Sequence, residues 1–299
     1  MSAMIDMLEP TLRKLVAAVA TELERAGLDF GHGADNAYDE AAWLVLEAVG
    51  RSPVEAVPDA DAPLAAADVA AVDALARRRI ETRRPLAYLT GRAWFAGLEF
   101  RVDERSLVPR SPMAELIEQR FAPWLVDRPV ERILEIGTGG GCIAIACAYA
   151  FPEAQIDATD VDPEALALAG ENVAAHGVGE RVALHRADVY AGLPAATYDL
   201  ILSNPPYVDA ERMATLPAEF RHEPSGALAG GARGLDVIDR IIGGADRFLA
   251  ADGLLAVETG GAGEQLERDW PHLAFVWPEL VTGDAGIALL DGAALHARA

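Results

Sequence analysis

Arg132-Ile133-Leu134-Glu135-Ile136-Gly137-Thr138-Gly139-Gly140-Gly141 sets a short apolar run directly before a glycine loop, and an apolar stretch over 142–150 follows with the length of a helix. Strand, glycine turn and helix in that order open a nucleotide-binding α/β sheet. The chain must turn sharply there, and a ligand must come close to bare backbone. A dinucleotide fingerprint would put its third glycine at position 142, which is Cys142. The spacing reads G-x-G-x-G instead, behind an acidic residue, so NAD is the less expected ligand. Glu135, Gly137, Thr138, Gly139, Gly140 and Gly141 are the candidate cofactor-binding loop.

Downstream, short apolar runs alternate with helical stretches. Strands are predicted at 132–136, 155–159, 182–186, 199–203, 254–258, 274–277 and 287–290, and helices at 142–150, 163–175, 235–250 and 263–270. That alternation predicts a doubly wound, mostly parallel sheet of seven strands. The last strand is free to run antiparallel, because a short glycine-containing loop precedes it. Asp160 ends the second strand, 23 residues after Gly137. A carboxylate there can accept from both hydroxyls of a ribose. The other reading, an N-cap for the helix at 163, suits Asp162 better. Asp188 ends the third strand, where it can accept from an exocyclic adenine amine or simply form a turn. Val189 lies beside it.

Upstream, Leu8, Leu12, Leu15, Val16, Val19 and Leu23 recur at helical spacing, as do Ala41, Leu44, Val45 and Ala48. Asp39 marks the cap region of the second helix and Gly50 its stop. Pro53, Pro58 and Pro63 punctuate a loop before a third helix over 66–80. Arg77, Arg78, Arg79, Arg83 and Arg84 form the one dense basic cluster, which reads as a solvated helix end complementing the dipole. From 85 to 110 the pattern moves toward period two, with Gly91 and Gly97 as turn residues, and predicts a hairpin. Pro109 and Pro112 then bracket a helix over 113–124. The expected organisation is a helical domain over 1–84, a β-hairpin linker over 85–111 and an α/β domain over 112–299.

Composition removes several classes. The 299 residues carry 25 basic and 47 acidic side chains, a net charge of −22, and Lys14 is the single lysine. A P-loop and pyridoxal chemistry each need a lysine in the site, so both are excluded. The acidity fits poorly with nucleic-acid binding, which needs cations on phosphates. Cys142 and Cys147 are the two cysteines, with no C-x-x-C and no H-E-x-x-H, so no metal site is expected. The N-terminus lacks the basic region of a signal peptide, and the longest apolar run, near 141–151, is far short of a membrane span. A cytoplasmic location is expected.

Ser203-Asn204-Pro205-Pro206-Tyr207 follows the fourth strand, at the carboxyl edge where α/β sheets bind ligands. Two prolines fix φ and remove two backbone donors. The first also pushes Asn204 toward an extended conformation. A rigid strip results whose Asn204 side-chain oxygen and Pro205 carbonyl are acceptors, matched to the two donors of an –NH₂ group. Tyr207 would wall a planar group. Asn204, Pro205, Pro206 and Tyr207 are the candidate catalytic residues, with Asn204 also facing the cofactor.

G-x-G-x-G after strand one, acids ending strands two and three, and N-P-P-Y after strand four together resemble the class I (Rossmann-like) S-adenosylmethionine-dependent amino-methyltransferases. Pro85-Leu86-Ala87-Tyr88-Leu89-Thr90-Gly91, Leu107-Val108-Pro109-Arg110, His222-Glu223-Pro224 and Gly234-Leu235-Asp236 extend the likeness to the HemK-like protein-glutamine methyltransferases over nearly the whole chain. One branch modifies the G-G-Q glutamine of peptide-chain release factors and usually reads P-R-x-x-T-E after the hairpin. Here Pro109-Arg110-Ser111-Pro112-Met113-Ala114-Glu115-Leu116 and Phe121-Ala122-Pro123-Trp124 are similar to the branch acting on large ribosomal subunit protein three. Glu135 and Thr138 depart from that branch, which usually has an aspartate and a Gly-Ser-Gly. The resemblance implies S-adenosylmethionine as methyl donor and a glutamine amide of a basic ribosomal protein as acceptor. Release factors are the alternative substrate and a nucleic-acid amine the second, with no direct nucleic-acid or membrane partner expected. His222, Glu223 and Glu258 have no identified proton to move and read as structural. Residues 112–299 hold 12 basic and 29 acidic side chains, a field that would attract a cationic protein or simply aid solubility.

Overall fold

The computed structural model describes residues 9–52, 59–126, 128–281 and 286–297. The chain divides into two compact units, Met1–Ala93 with Pro217–His222, and Trp94–Leu216 with Glu223–Ala299.

The first unit is helical: α1 (Leu12–Arg25), α2 (Ala37–Ala48), α3 (Ala66–Thr82) and α4 (Leu86–Thr90). The apolar stripe read from the sequence is the buried face of α1, where Leu15, Val19 and Leu23 are fully covered. Thr11 caps that helix by accepting from the Lys14 N–H. The cap of α2 is Asn36, not the Asp39 region. The Asn36 side chain accepts from the Asp39 N–H at 2.9 Å, and this adds a turn at the front of the helix. Gly50, at φ 70, follows its end as expected. Leu8, Pro53 and Pro58 lie outside the described residues, whereas Pro63 bridges to Thr11. Residues 86–90 are helical rather than period-two. Pro85 opens that turn, and Gly91 closes it in the left-handed region.

The arginine cluster is solvated only in part: Arg77 and Arg78 are exposed, but Arg79 is not. Arg79 is fully buried, with its Nε 2.7 Å from Glu40 Oε1 and Nη1 3.8 Å from Glu219 Oε1. Arg83 also donates to Glu219, at 2.9 Å. The turn Glu219–His222 therefore supplies this unit with a buried anion from far along the chain. Burial raises the Glu40 carboxyl above the usual range, and Arg79 pulls against that.

In the hairpin, β1 (Arg92–Phe95) and β2 (Leu98–Arg101) pair around Ala96 and Gly97, both at positive φ, the signature of a two-residue type I′ turn. The unit boundary falls inside β1. Next comes α5 (Met113–Glu118), shorter than the predicted 113–124. Arg120 and Phe121 enter the left-handed region, and the Phe121 N–H turns back to the Leu116 carbonyl.

The sheet of the second unit comprises β3 (Arg132–Ile136), β4 (Gln155–Asp160), β5 (Val182–Arg186), β6 (Tyr198–Ser203), β7 (Leu249–Glu258) and β8 (Ile287–Asp291). Its order is β5-β4-β3-β6-β7-β8, parallel except for β8. The sheet has six strands among the described residues rather than seven. The predicted strand at 274–277 makes one bridge, Val276 with Leu289. The next hydrogen-bonded position would be Pro278, which has no N–H to give. Helices α6 (Cys142–Ala150), α7 (Pro163–His176), α8 (Ala210–Thr215), α9 (Ser225–Leu228), α10 (Asp236–Gly244), α11 (Gly263–Asp269) and α12 (Gly292–His296) complete the unit. The predicted 235–250 helix stops at Gly244, where the close approach of the Tyr190 ring leaves no room for a Cβ. Leu134, Ile201 and Leu255 pack with Ile238, Ile241 and Leu266 on one face, while Ile133 and Leu200 are buried facing the other, so both faces are covered as a parallel sheet requires. The fold is of the class I methyltransferase kind.

Candidate active site

Strand order reverses between β3 and β6, and their carboxyl ends, Ile136 and Ser203, are register partners. A crevice opens outside such a switch point because the chains leaving the two strands cross to opposite sides. The glycine loop leaves one strand and the Asn204-Pro205-Pro206-Tyr207 strip the other. The Ser203 hydroxyl donates to the Ile136 carbonyl at 2.7 Å and locks the two ends together.

A cavity of ≈ 340 Å³ lies there, within the range of small-molecule sites. Glu135, Gly137, Thr138, Gly139, Gly140, Asp160, Asp188, Val189, Asn204, Pro205 and Pro206 line it. Gly141 and Tyr207 do not. Gly141 stands behind the loop at φ 86, where an added Cβ would press on Ala169 at 3.3 Å.

The loop is held from beneath. Glu135 is buried, and its Oε2 accepts from the Thr138 hydroxyl at 2.5 Å and from the Ala144 N–H at 2.9 Å. One carboxylate thus joins strand, loop and the first turn of α6. Burial lifts this carboxyl to about 7, although both hydrogen bonds work the other way. The Gly137 and Thr138 N–H groups both donate to the Thr159 carbonyl. Asp160 Oδ2 accepts from the Gly139 N–H at 2.8 Å, and Oδ1 from the Asp162 N–H at 2.9 Å. Burial raises the Asp160 carboxyl, and these amides offset part of the rise. Asp162 is the cap of α7, so Asp160 is left to face the cavity.

Asp188 also faces the cavity, but its Oδ1 is 2.8 Å from the Arg240 guanidinium, a cavity residue the sequence did not single out. Val189 beside it is buried at φ 56. A β-branched residue held in the left-handed region marks strain, of the kind that concentrates at ligand sites.

The acceptor strip is held by missing side chains. A Cβ on Gly230 would lie 2.8 Å from the Pro206 carbonyl oxygen and Tyr207 Cα, and one on Gly260 2.8 Å from the Tyr207 ring. The Gly230 N–H donates to the Val208 carbonyl at 2.8 Å. The Tyr207 hydroxyl donates to Glu258 Oε1 at 2.9 Å. Burial, then the Glu258 charge, pushes the Tyr207 phenol well above its usual value. Arg105 through Ser111 form a further wall of the cavity. Arg110 grips Glu223 through both guanidinium amines at 2.5 and 2.6 Å, and the Val108 N–H donates to the same carboxylate. Glu223 thus fixes the wall, and the only sequence signal for these groups was family likeness. His222 is not among the lining residues. Its Nε2 lies 3.2 Å from the Thr82 carbonyl in the helical unit.

S-adenosylmethionine fits these residues. Gly137 and Gly139, at φ 76 and 53, keep the loop free of side chains, and a partly shielded carboxylate faces the cavity from Asp160.

Residues 119–231 match the family model described as Methyltransferase small domain, and residues 19–91 match PrmC N-terminal domain. The chain is 45% identical over 281 residues, 94% of each chain, to the ribosomal protein uL3 glutamine methyltransferase of Bordetella pertussis. Over 296 residues, 96% of each chain, it is 45% identical to that of Burkholderia pseudomallei. A solved methyltransferase from Pyrococcus furiosus is similar at TM-score 0.48 and 21% identity, over 65% of this chain and 88% of that one.

Proposed function

The chain belongs to the HemK-like protein-glutamine methyltransferases, and we propose that it acts with the uL3 branch, moving a methyl group from S-adenosylmethionine to a glutamine side-chain amide of ribosomal protein uL3. One observation carries the site reading. The strip at the end of β6, with its Asn204 and Pro205 oxygens, and the glycine loop at the end of β3 line the same cavity.

When bound, S-adenosylmethionine supplies an electrophilic methyl on a sulfonium. Gly137 to Gly140, Glu135, Asp160, Asp188 and Val189 would hold it, with Gly141 shaping the loop from behind. An amide nitrogen is a weak nucleophile because its lone pair is shared with the carbonyl. The Asn204 oxygen and the Pro205 carbonyl accept its two N–H bonds, aim the nitrogen and raise its electron density. Bound there, S-adenosylmethionine would supply the methyl, and the Asn204 and Pro205 oxygens would hold the nitrogen in line with it, one amide proton passing to water. No base is required, since an N-methylated amide cation is strongly acidic. Acceleration comes from in-line placement and from acceptors set where positive charge develops. Tyr207, which does not line the cavity, anchors the strip from behind through its hydroxyl bond to Glu258.

The helical segment 1–84 is assigned to substrate recognition, 85–111 to the linker and 112–299 to transfer. No helix among the described residues is long and apolar enough to cross a membrane. We propose a cytoplasmic location, where a ribosomal-protein substrate is found, and no direct nucleic-acid or membrane partner. The test is incubation with labelled S-adenosylmethionine and, separately, purified uL3, release factors, RNA and DNA, with mass spectrometry of the product. Label on a uL3 glutamine is expected. Label on nucleic acid or on the release-factor G-G-Q alone refutes the assignment.

A further inference from the structure

Glu258 ends β7, beside the strand that feeds the acceptor strip, and only 4% of it is exposed. Its two oxygens go to different parts of the site. Oε1 accepts from the Tyr207 hydroxyl at 2.9 Å and Oε2 from the Ser111 hydroxyl at 2.6 Å. Ser111 is the last of the consecutive residues from Arg105 that wall the cavity, and its oxygen also accepts from the Met113 N–H at 3.1 Å, at the head of α5. One carboxylate therefore ties the cofactor wall to the tyrosine of the acceptor strip. A buried carboxylate is costly, and both its hydrogen-bond donors here are neutral hydroxyls.

We propose that Glu258 is a positioning residue for methyl transfer, setting the spacing between the strip that carries Asn204 and the wall that encloses the methyl donor. This rests on the reading of Asn204 and Pro205 as the amide slot. The strip transmits the constraint because prolines 205 and 206 leave little freedom between Tyr207 and Asn204. On the far side, Gly230 and Gly260 admit the strip so closely that it has no room to drift. A carboxylate suits the task through its two acceptor oxygens, one for each hydroxyl. Glutamine offers one acceptor and one donor group, so one hydroxyl would lose its acceptor. Aspartate is a methylene too short to reach both.

The test compares Glu258→Gln, Ser111→Ala, Tyr207→Phe and the Glu258→Gln/Tyr207→Phe double variant with the unmodified enzyme. Readouts are kcat at saturating S-adenosylmethionine and uL3, Kd for S-adenosylmethionine, Tm, and a crystal structure of Glu258→Gln. Glu258→Gln should lose ~10- to 100-fold in kcat, the cost of a sub-ångström to ångström misplacement, with Kd within twofold. The double variant should lose no more than the worse single one, because both cut the same tie. In the crystal, the Tyr207 hydroxyl or Ser111 should be displaced. A kcat within twofold of the unmodified enzyme overturns the proposal, as does a loss confined to Kd and Tm. If the unmodified enzyme leaves uL3 unlabelled, the substrate reading fails by itself. The crystal structure then still decides the positioning role, and an unmoved Tyr207 and Ser111 refute it.

Discussion

Gly230→Ala adds one methyl group where the acceptor strip has no space for it. The new Cβ would lie 2.8 Å from three atoms: the Pro206 carbonyl oxygen, Tyr207 Cα and Gly234 Cα. Nonbonded carbons settle at ~3.5–4.0 Å, so relief requires a movement of ~0.7–1.2 Å. The Gly230 segment cannot yield freely. Its N–H is bonded to the Val208 carbonyl and its own carbonyl to the Asp236 N–H at 3.1 Å. The strip therefore takes up much of the shift. Overpacking of this kind costs ~1–3 kcal/mol of stability, a fall of several degrees in Tm for a domain of this size. A displacement near 1 Å at the reacting group costs ~100-fold in rate. The assay is the initial rate of label transfer to uL3 at saturating S-adenosylmethionine, beside calorimetric binding of the cofactor, whose loop the methyl does not approach. Gly261→Ala is the control, since a Cβ there meets nothing within 4 Å. It should stay within twofold on every readout. A folded Gly230→Ala enzyme with kcat within threefold would show that the strip's location does not set the rate.

Asp160→Ala should weaken S-adenosylmethionine by ~10- to 100-fold in calorimetry, through loss of a cavity-facing acceptor and of the Gly139 tether; unchanged affinity would remove Asp160 from the cofactor site. Glu135→Gln should change the pH dependence of stability. With the native carboxyl held at about 7 and an ordinary glutamate at 4.5, the folded protein keeps a proton that the unfolded chain has released. Stability from this group is full below about pH 4.5 and is lost as pH rises through 7, on the order of 3 kcal/mol in all. Urea titrations at pH 5 and pH 8 should show the parent losing most of that increment relative to Glu135→Gln. Glu219→Ala leaves buried Arg79 with Glu40 and takes from Arg83 its 2.9 Å partner; removing one partner of a buried charge cluster costs up to ~3–5 kcal/mol, visible as an earlier unfolding midpoint.

What was legible in the sequence was periodic or local. The strand before Gly137, the cap at Asp162 with Pro163 behind it and the N-P-P-Y strip each announce themselves within a few residues, and chain order alone brings them to one sheet edge. The ties that hold the site span more than a hundred positions: Arg110 to Glu223 and Ser111 to Glu258. A single polar residue has no period, so nothing local distinguishes a buried acceptor from a solvated one. Arg79 shows the same ambiguity, since five arginines at a helix end look solvated until an anion arrives from residue 219. At 274–277 the β-forming residues signalled a strand, but Pro278 withholds the donor that would have extended the one bridge, Val276 to Leu289, into a strand.

That anion also sets a clock on biosynthesis. Ala93 and Glu219 are 126 positions apart in the chain. At ~5–20 residues per second, the helices of the first unit leave the ribosome roughly ten seconds before the carboxylate that completes their interior. In the interval Glu40 is the one carboxylate at Arg79 among the described residues, beside the Asp29 carbonyl. The N-terminal helices therefore finish folding only after β3 to β6 have been synthesised, and a fragment ending at Ala93 would emerge with a buried cation short of one partner.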